Sequence, residues 1–79
     1  MVKVEVLGTG CAKCRRQVKN VEAAIRDTGI DVELVKIDDI AEIMERGVLL
    51  TPALAIDGEI RVSGRVADVA EIKAMLQGA

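Results

Sequence analysis

Apolar and polar residues alternate with two periods along this chain, and each change of period marks a new element. Val2, Val4 and Val6 alternate with charged residues, which predicts a first strand. The next apolar side chains recur after four, three and four positions, the spacing of one face of an α-helix. They are Cys14, Val18, Val21 and Ile25. Gly29 is well placed as the C′ residue that ends this helix.

The middle of the chain predicts a second strand and a short helix. Residues 32–37 are rich in β-branched side chains, which favours a strand. Apolar residues at positions 40, 43 and 44 predict the short helix that follows. Asp38 or Asp39 can cap its first turn, and Gly47 is expected to stop it.

The last third of the chain predicts a hairpin and a final helix. Asp57-Gly58 is a strong turn signal between two apolar runs, residues 53–56 and residues 60–62, which we interpret as the hairpin strands. Asp68 and Glu71 are expected to form a capping pair at the start of the last helix. The apolar face of that helix contains Val69, Ile72, Met75 and Leu76.

The predicted order of elements is βαβαββα, which places the chain in the α/β class. The first βαβ unit implies two parallel strands joined by a right-handed crossover. The hairpin adds two strands that are antiparallel to each other. We therefore expect a four-stranded mixed sheet with helices on both faces, in a single domain over residues 1–79 without a linker or a repeat.

Composition and charge narrow the function without identifying it. Half of the 79 residues are hydrophobic and none is aromatic, so the core must be aliphatic. A net charge of −2 argues against a general nucleic-acid binder. No apolar run approaches the roughly 20 residues that span a bilayer. The first residues lack the pattern of a signal peptide, so we expect a cytoplasmic protein.

Two cysteines, Cys11 and Cys14, lie where the first strand ends and the first helix begins. Two thiols at this spacing can close a small disulfide ring and reopen it, which is the chemistry of thiol–disulfide exchange. A Cys-x-x-Cys pair is also half of a zinc site. In a reducing compartment, such a pair is catalytic, redox-sensing or metal-binding more often than a permanent cross-link.

The helical phase gives the two sulfurs different surroundings. Cys14 shares the apolar face of the helix and should point toward the core, whereas Cys11 should be exposed at the helix N-terminus. Unpaired N–H groups and the helix dipole there favour the thiolate, and Lys13, Arg15 and Arg16 add positive charge. We therefore predict that Cys11 is the nucleophile, with a lowered pKa, and that Cys14 is the resolving thiol. The basic cluster could equally be a solvated helix face.

The combination of a strand, a Cys-x-x-Cys helix start, a proline entering a hairpin and a glycine before the last helix resembles the thioredoxin and glutaredoxin superfamily. It is most similar to the small glutaredoxin-like proteins with a redox-active disulfide. The resemblance implies a cofactor-free, monomeric protein-disulfide reductase. Its implied partners are disulfide-containing client proteins and an electron donor of the thioredoxin-reductase type, with no nucleic acid and no membrane.

The resemblance also assigns roles to individual residues. Cys11 and Cys14 match the redox pair, and Pro52 matches a cis-proline that faces it, which makes the Thr51–Pro52 bond cis. Thr51 and Lys13 are counted as supporting residues. Gly64, with Arg65 after it, matches the glycine beside the partner-binding groove. Leu49, Leu50 and Val66 surround this region and are either a docking patch or part of the core.

Several residues depart from the family pattern. Gly10 stands where thioredoxins carry an aromatic residue, and Ala12-Lys13 replaces their Gly-Pro. Ser63-Gly64-Arg65 differs from the Gly-Gly and acidic residues with which many glutaredoxins hold glutathione. Glu5 lies at the offset of the buried carboxylate that relays a proton to the resolving cysteine. It would need a raised pKa for that role, and otherwise it is a partly solvated strand residue.

Two other interpretations remain at this stage. The first is a copper- or zinc-binding chaperone that uses the two thiolates, although Thr9 stands where a methionine is common. A closed zinc site usually needs four ligands, and the chain has no histidine and no second cysteine pair, so such a site would need a dimer. The second is a structural module in which the cysteines are incidental.

Overall fold

Four strands and three helices follow one another in the predicted order. A computed structural model of the protein describes residues 1–78, and the strands and helices lie within them. The strands are β1 (Val2–Leu7), β2 (Val32–Ile37), β3 (Ala53–Ile56) and β4 (Glu59–Ser63). The helices are α1 (Ala12–Thr28), α2 (Ile40–Glu45) and α3 (Val69–Gln77). The predicted and observed bounds differ by no more than a few residues at each element.

The four strands form one mixed sheet in the order β2-β1-β3-β4. β1 pairs parallel to β2 and antiparallel to β3, which pairs antiparallel to β4. Asp57 and Gly58 connect β3 to β4 with positive φ angles of 49° and 86°. Two such residues are what a type I′ hairpin turn requires, so the Asp-Gly signal is confirmed. Because β1 lies between β2 and β3, both of its edges are hydrogen-bonded, and residues 4–7 are buried.

The helix ends follow the expected capping residues. Asp39, rather than Asp38, caps α2 and accepts hydrogen bonds from the first turn. Gly29 ends α1 in the left-handed conformation, and its N–H donates to the carbonyl of Ile25. Asp68 caps α3 by accepting from the backbone N–H of Glu71 at 2.8 Å. The Glu71 carboxylate binds a neighbouring arginine instead of completing the capping pair.

Helices cover both faces of the sheet, as predicted. On what we call the helix-pair face, α1 and α3 pack against the sheet and against each other. Its buried core consists of Val4, Val6, Val21, Ala24, Leu54, Ile56, Val62, Ala67, Ile72 and Leu76. On the opposite, single-helix face, only α2 covers the sheet. Its smaller buried core consists of Leu7, Ile37, Ile43, Val48, Ala53 and Ala55.

The buried face of α1 differs in part from its predicted apolar face. Cys14 and Val21 are buried, whereas Val18 and Ile25 are half-buried at the edge of the core. Gln17 is fully buried although it is polar. No helix within residues 1–78 combines the length and the apolar composition needed to cross a membrane.

Candidate active site

The two cysteines meet at the N-terminus of α1. Cys11 is the exposed N-cap residue, and Cys14 lies one turn later with only 4% of its surface exposed. Their Sγ atoms are 2.9 Å apart and share a hydrogen bond, and both thiols are free. The backbone N–H of Cys14 also points at the Cys11 sulfur, at 3.4 Å. The predicted exposure of Cys11 and burial of Cys14 are therefore confirmed.

The surroundings move the pKa values of the two thiols in opposite directions. The hydrogen bond from the Cys14 thiol is the main cause that lowers the pKa of Cys11, and the backbone N–H groups of Cys14 and Lys13 add to it. Desolvation is the main cause that raises the pKa of Cys14, and the adjacent Cys11 adds to it. At a given pH, Cys11 is therefore the sulfur that more readily becomes a thiolate.

Two members of the basic cluster contact the cysteine segment. The backbone N–H of Lys13 is among the hydrogen bonds that lower the pKa of Cys11. The Arg15 guanidinium donates a hydrogen bond of 2.6 Å to the carbonyl of Gly10, which holds the loop just before Cys11. Arg16 is exposed, as the alternative of a solvated helix face expects.

Gly8 is part of the site, although its sequence context identified it only as a break after β1. It is buried at the end of β1, and its N–H donates to the carbonyl of Ile37 at 2.9 Å. A Cβ atom at this position would overlap the Cys14 sulfur and would lie 3.9 Å from the Cα of Pro52. The bare backbone of Gly8 therefore makes room for the Cys14 thiol beside the proline.

The Thr51–Pro52 peptide bond is cis, as the resemblance implies, and Pro52 is buried while Thr51 is exposed. The carbonyl of Pro52 accepts a hydrogen bond of 3.0 Å from the N–H of Gly64. Gly64 has a positive φ of 83°, and a Cβ there would lie 3.1 Å from the Leu50 side chain. The loop that contains Pro52, here called the proline loop, and the loop that contains Gly64, here called the glycine loop, are thus in direct contact.

Arg65 is engaged by a neighbour on α3. Its guanidinium forms two hydrogen bonds with the Glu71 carboxylate, at 2.8 and 2.5 Å, and 57% of its side chain is exposed. The pair lowers the pKa of Glu71 and leaves the outer side of the Arg65 side chain in solvent. This contact does not test a role for Gly64 and Arg65 in binding partners, which therefore stays a prediction.

Two polar side chains of α1 hold the segment that follows the glycine loop. The Oε1 of Gln17 accepts from the N–H of Ala67 at 2.7 Å, and the Nδ2 of Asn20 donates to the Ala67 carbonyl at 2.8 Å. Neither residue was predicted from the sequence to belong to the site. Gln17 was detectable, because it lies one helical turn after Cys14 and one before Val21, on the face that must be buried.

Both interpretations of Glu5 are wrong. Its side chain is only 2% exposed, so it is not a partly solvated strand residue. Its two oxygens accept hydrogen bonds from Arg46 at 2.9 and 2.5 Å, and this contact lowers the pKa of Glu5 although burial opposes the shift. The raised pKa of a proton relay is therefore absent. Sequence reasoning missed Arg46 because it is 41 residues away along the chain.

An apolar patch borders the proline loop and the loop of residues 8–11 that leads to Cys11, here called the cysteine loop. It consists of Ile40, Met44, Leu49 and Leu50, of which Leu49 is 90% exposed and the others are about two-thirds exposed. Most of these side chains, with Thr9 and Thr51, line an open cavity of about 320 Å³. Of the three residues considered for docking, Leu49 and Leu50 are thus surface residues, whereas Val66 is half-buried.

The donor set does not favour the metal-chaperone interpretation. Within residues 1–78, no cluster brings three or more cysteine, histidine, aspartate or glutamate side chains together as metal ligands. The two thiols supply only half of the four ligands of a usual zinc site.

A mixed four-stranded sheet with an exposed and a buried cysteine at one helix start, next to a cis-proline, defines a thioredoxin-like thiol–disulfide oxidoreductase. A sequence-family model described as the thioredoxin domain matches residues 2–77, and the chain therefore belongs to the thioredoxin family. It is 45% identical over 76 residues to a thioredoxin of Methanothermobacter thermautotrophicus, which covers 96% of this chain and 99% of the relative. It is 43% identical over 77 residues to a thioredoxin of Methanocaldococcus jannaschii, covering 98% of this chain and 88% of the relative.

The fold is also similar to a solved structure of low sequence identity. Thioredoxin-2, described as a component of the protein secretion machinery of the malaria parasite, superposes with a TM-score of 0.79. The similarity covers 100% of this chain and 84% of that chain at 14% identity. At such identity it supports the thioredoxin-like fold, while the closer relatives support disulfide reductase activity.

Proposed function

We propose that the protein reduces disulfide bonds of client proteins, with Cys11 as the nucleophile and Cys14 as the resolving thiol. The Cys11 thiolate attacks one client sulfur, forms a mixed disulfide and releases the other client sulfur as a thiolate. Cys14 then loses its proton and attacks the Cys11 sulfur. This step closes the Cys11–Cys14 disulfide and releases the second client thiolate, so two electrons pass from the cysteine pair to the client.

The unequal surroundings of the two sulfurs carry this assignment. Only Cys11 is exposed, and the same hydrogen bonds that stabilise its thiolate make it a good leaving group when the ring reopens. Cys14 is 4% exposed, so a folded client cannot reach it, but it lies 2.9 Å from the sulfur that it has to attack. Exposure suits the first step and proximity suits the second.

The same site suggests how a client is held. Thr51, Pro52, Gly64 and Arg65 form adjoining loops beside the cysteines, and we assign them to the client-binding groove. The apolar patch continues that groove without a charged side chain among its four members. Apolar contacts that lose their water on binding supply affinity, while the polar groups around them orient the client relative to the cysteines. Clients with apolar side chains near their disulfide should therefore be preferred.

The electron donor, cellular location and assembly state follow as parts of this proposal. The oxidised pair needs a dithiol or flavin-dependent reductase of the thioredoxin-reductase type to return two electrons. A chain whose only cysteines form a reactive pair suits the reducing cytoplasm. We propose that residues 1–79 act there as a single-domain monomer.

The redox potential of the cysteine pair tests the direction of the reaction. The pair should be equilibrated with glutathione and with thioredoxin buffers, and turnover of a disulfide-bonded protein should be measured on the same sample, together with its metal content. A reductase requires a potential toward about −270 mV. A potential near about −120 mV would identify an oxidant instead. Stoichiometric copper or zinc without turnover would contradict the proposed function.

A further inference from the structure

The Glu5–Arg46 ion pair differs from the other ion pairs within residues 1–78. The Glu5 side chain is 2% exposed and the Arg46 side chain is one-third exposed, whereas the pairs Arg65–Glu71 and Lys73–Asp27 lie at the surface. Like the surface pair Arg65–Glu71, it is bidentate, with one guanidinium nitrogen on each carboxylate oxygen, so burial of the carboxylate is what distinguishes it. A bidentate pair fixes both distance and orientation, which a single contact does not.

The position of the pair connects the two halves of the active site. Glu5 lies six positions before Cys11, on the strand that leads into the cysteine loop. Arg46 lies six positions before Pro52, at the end of the helix that leads into the proline loop. The pair therefore joins the two segments that carry the reactive sulfur and the client-binding loop.

Few other contacts hold the second of these segments. Between residues 40 and 51, only Ile43 and Val48 are buried. The N–H of Arg46 caps α2 by donating to the carbonyls of Glu42 and Ile43, and Val48 donates to Ile43 as well. These bonds shape the turn itself. Ile43 and Val48 lie in the same buried core as Leu7 of β1, and the Ser63 hydroxyl donates to the Leu50 carbonyl at 3.1 Å. The Arg46 side chain adds the polar contact between that turn and β1.

Stability alone does not explain a pair of this kind. Burying the Glu5 carboxylate costs desolvation energy that the attraction of Arg46 offsets in part, and replacing a buried ion pair with apolar residues is often neutral or stabilising. The groups around Glu5 are otherwise apolar or weakly coupled: Val35 and Ala55 flank it in the sheet, and Lys3 contributes only a minor attraction.

We propose that Arg46 is a positioning residue that, through its two hydrogen bonds to Glu5, sets the apolar patch and the proline loop at the correct distance from Cys11. This inference rests on the proposed reduction of protein clients. The pair then determines how tightly a protein client binds, and it leaves the sulfur chemistry of Cys11 unchanged. A small-molecule disulfide, which needs no docking surface, should not sense the pair.

The test replaces the pair by apolar residues of similar size, with Glu5→Leu and Arg46→Met in one variant. Its unfolding midpoint should be equal to or above that of the wild type. The KM for a disulfide-bonded protein should rise by about threefold to tenfold with kcat unchanged, because coupling through packed elements is of this size. The reaction rate with a small-molecule disulfide and the pH dependence of Cys11 alkylation should stay unchanged.

Two further variants keep the test decisive. Arg46→Lys retains the charge without the bidentate geometry and should raise KM less than the double variant, which gives a result even if the apolar pair misfolds. Asp27→Asn with Lys73→Gln removes a surface pair and should leave KM unchanged.

An unchanged client KM in a folded double variant would overturn the inference, and so would an equal loss of rate with the small disulfide. A wild-type protein that fails to reduce the client would instead contradict the proposed function itself.

Discussion

The helix-pair face and the single-helix face of the sheet are built differently. On the helix-pair face, α1 and α3 enclose a continuous aliphatic core, and the side chains of Gln17 and Asn20 hold Ala67 from both sides. On the single-helix face, one helix of six residues covers a smaller core, and the Glu5–Arg46 pair lies beside that core. The exposed apolar patch lies beside this second face.

The difference indicates that the two faces of the sheet serve different functions. The helix that carries both cysteines is anchored in the well-packed face, where small displacements are costly, so the two sulfurs keep their 2.9 Å separation. The face with less packing presents the side chains that we assign to client contact. Changes near the cysteines should therefore affect the reaction, and changes near α2 should affect client affinity.

The largest effect is expected at the cysteines. Cys11→Ser should abolish turnover, because the exposed nucleophile is lost. Cys14→Ser should still complete the first step and should accumulate a mixed disulfide between Cys11 and the client. Mass spectrometry of the trapped complex checks both statements. A mixed disulfide on Cys14 in the Cys11→Ser variant, formed at the wild-type rate, would contradict the division of roles.

Gly8→Ala should give the next largest effect. The added Cβ overlaps the Cys14 sulfur, so the side chain or β1 must move, at a cost of about 1–3 kcal/mol in the free energy of unfolding. Closure of the disulfide ring should also slow, as measured by stopped-flow oxidation. Gly78→Ala is the matched control, because Gly78 has a negative φ and a Cβ there meets only ordinary contacts. Equal stability of the two variants would show that the site is less tightly packed than described.

Leu49→Ser combined with Met44→Ser should have a smaller and more selective effect. Both side chains are mostly exposed, so unfolding should change little, whereas the KM for a protein client should rise by about threefold to tenfold. The substitution Ala74→Ser on α3 lies away from the patch and should leave KM unchanged. If kcat fell while KM stayed constant, the proposed separation of chemistry from client affinity would fail.

The smallest effect is confined to acidic solution. Arg46 lowers the pKa of Glu5, so folded Glu5 holds its proton less readily than unfolded Glu5 does. The resulting stabilisation is complete above the pKa of an unfolded glutamate, about 4.3, and is lost as pH falls through the lower folded value. Lowering the pH should therefore reduce the free energy of unfolding more steeply in the wild type than in the variant with Glu5→Leu and Arg46→Met. Urea unfolding at a series of pH values measures this difference. Parallel curves would contradict the ion-pair assignment.

The sequence predicted the fold through strong local signals. The four-three-four spacing of α1, the Asp-Gly turn and the caps at Gly29 and Asp68 depend on neighbouring residues, which a single sequence displays directly. The resemblance added the cis bond at Pro52, for which the local sequence gives no signal. Boundaries shifted only where a loop residue joined a strand, as Leu7 and Ser63 did.

The missed features depend on side-chain contacts that form only in the folded protein. Glu5 looked like a relay or a solvated residue because Arg46 lies far away in sequence and its side chain returns to β1 only in the folded protein. Gly8 looked like a simple break because the sulfur that it accommodates belongs to the next helix. The pKa of Cys11 was expected to be lowered by backbone N–H groups, the helix dipole and nearby cations. The backbone N–H groups contribute as expected, whereas the hydrogen bond from the Cys14 thiol was not anticipated.

The pH dependence of alkylation of the reduced wild-type protein tests the central claim most directly. With a limiting electrophile and peptide mapping by mass spectrometry, Cys11 should react first, with half-maximal rate below the free-thiol pKa of about 8.5. Cys14 should react only at higher pH, because burial raises its pKa. Modification of Cys14 before Cys11, or a common midpoint at the free-thiol value, would contradict the assignment of an exposed nucleophile and a buried resolving thiol.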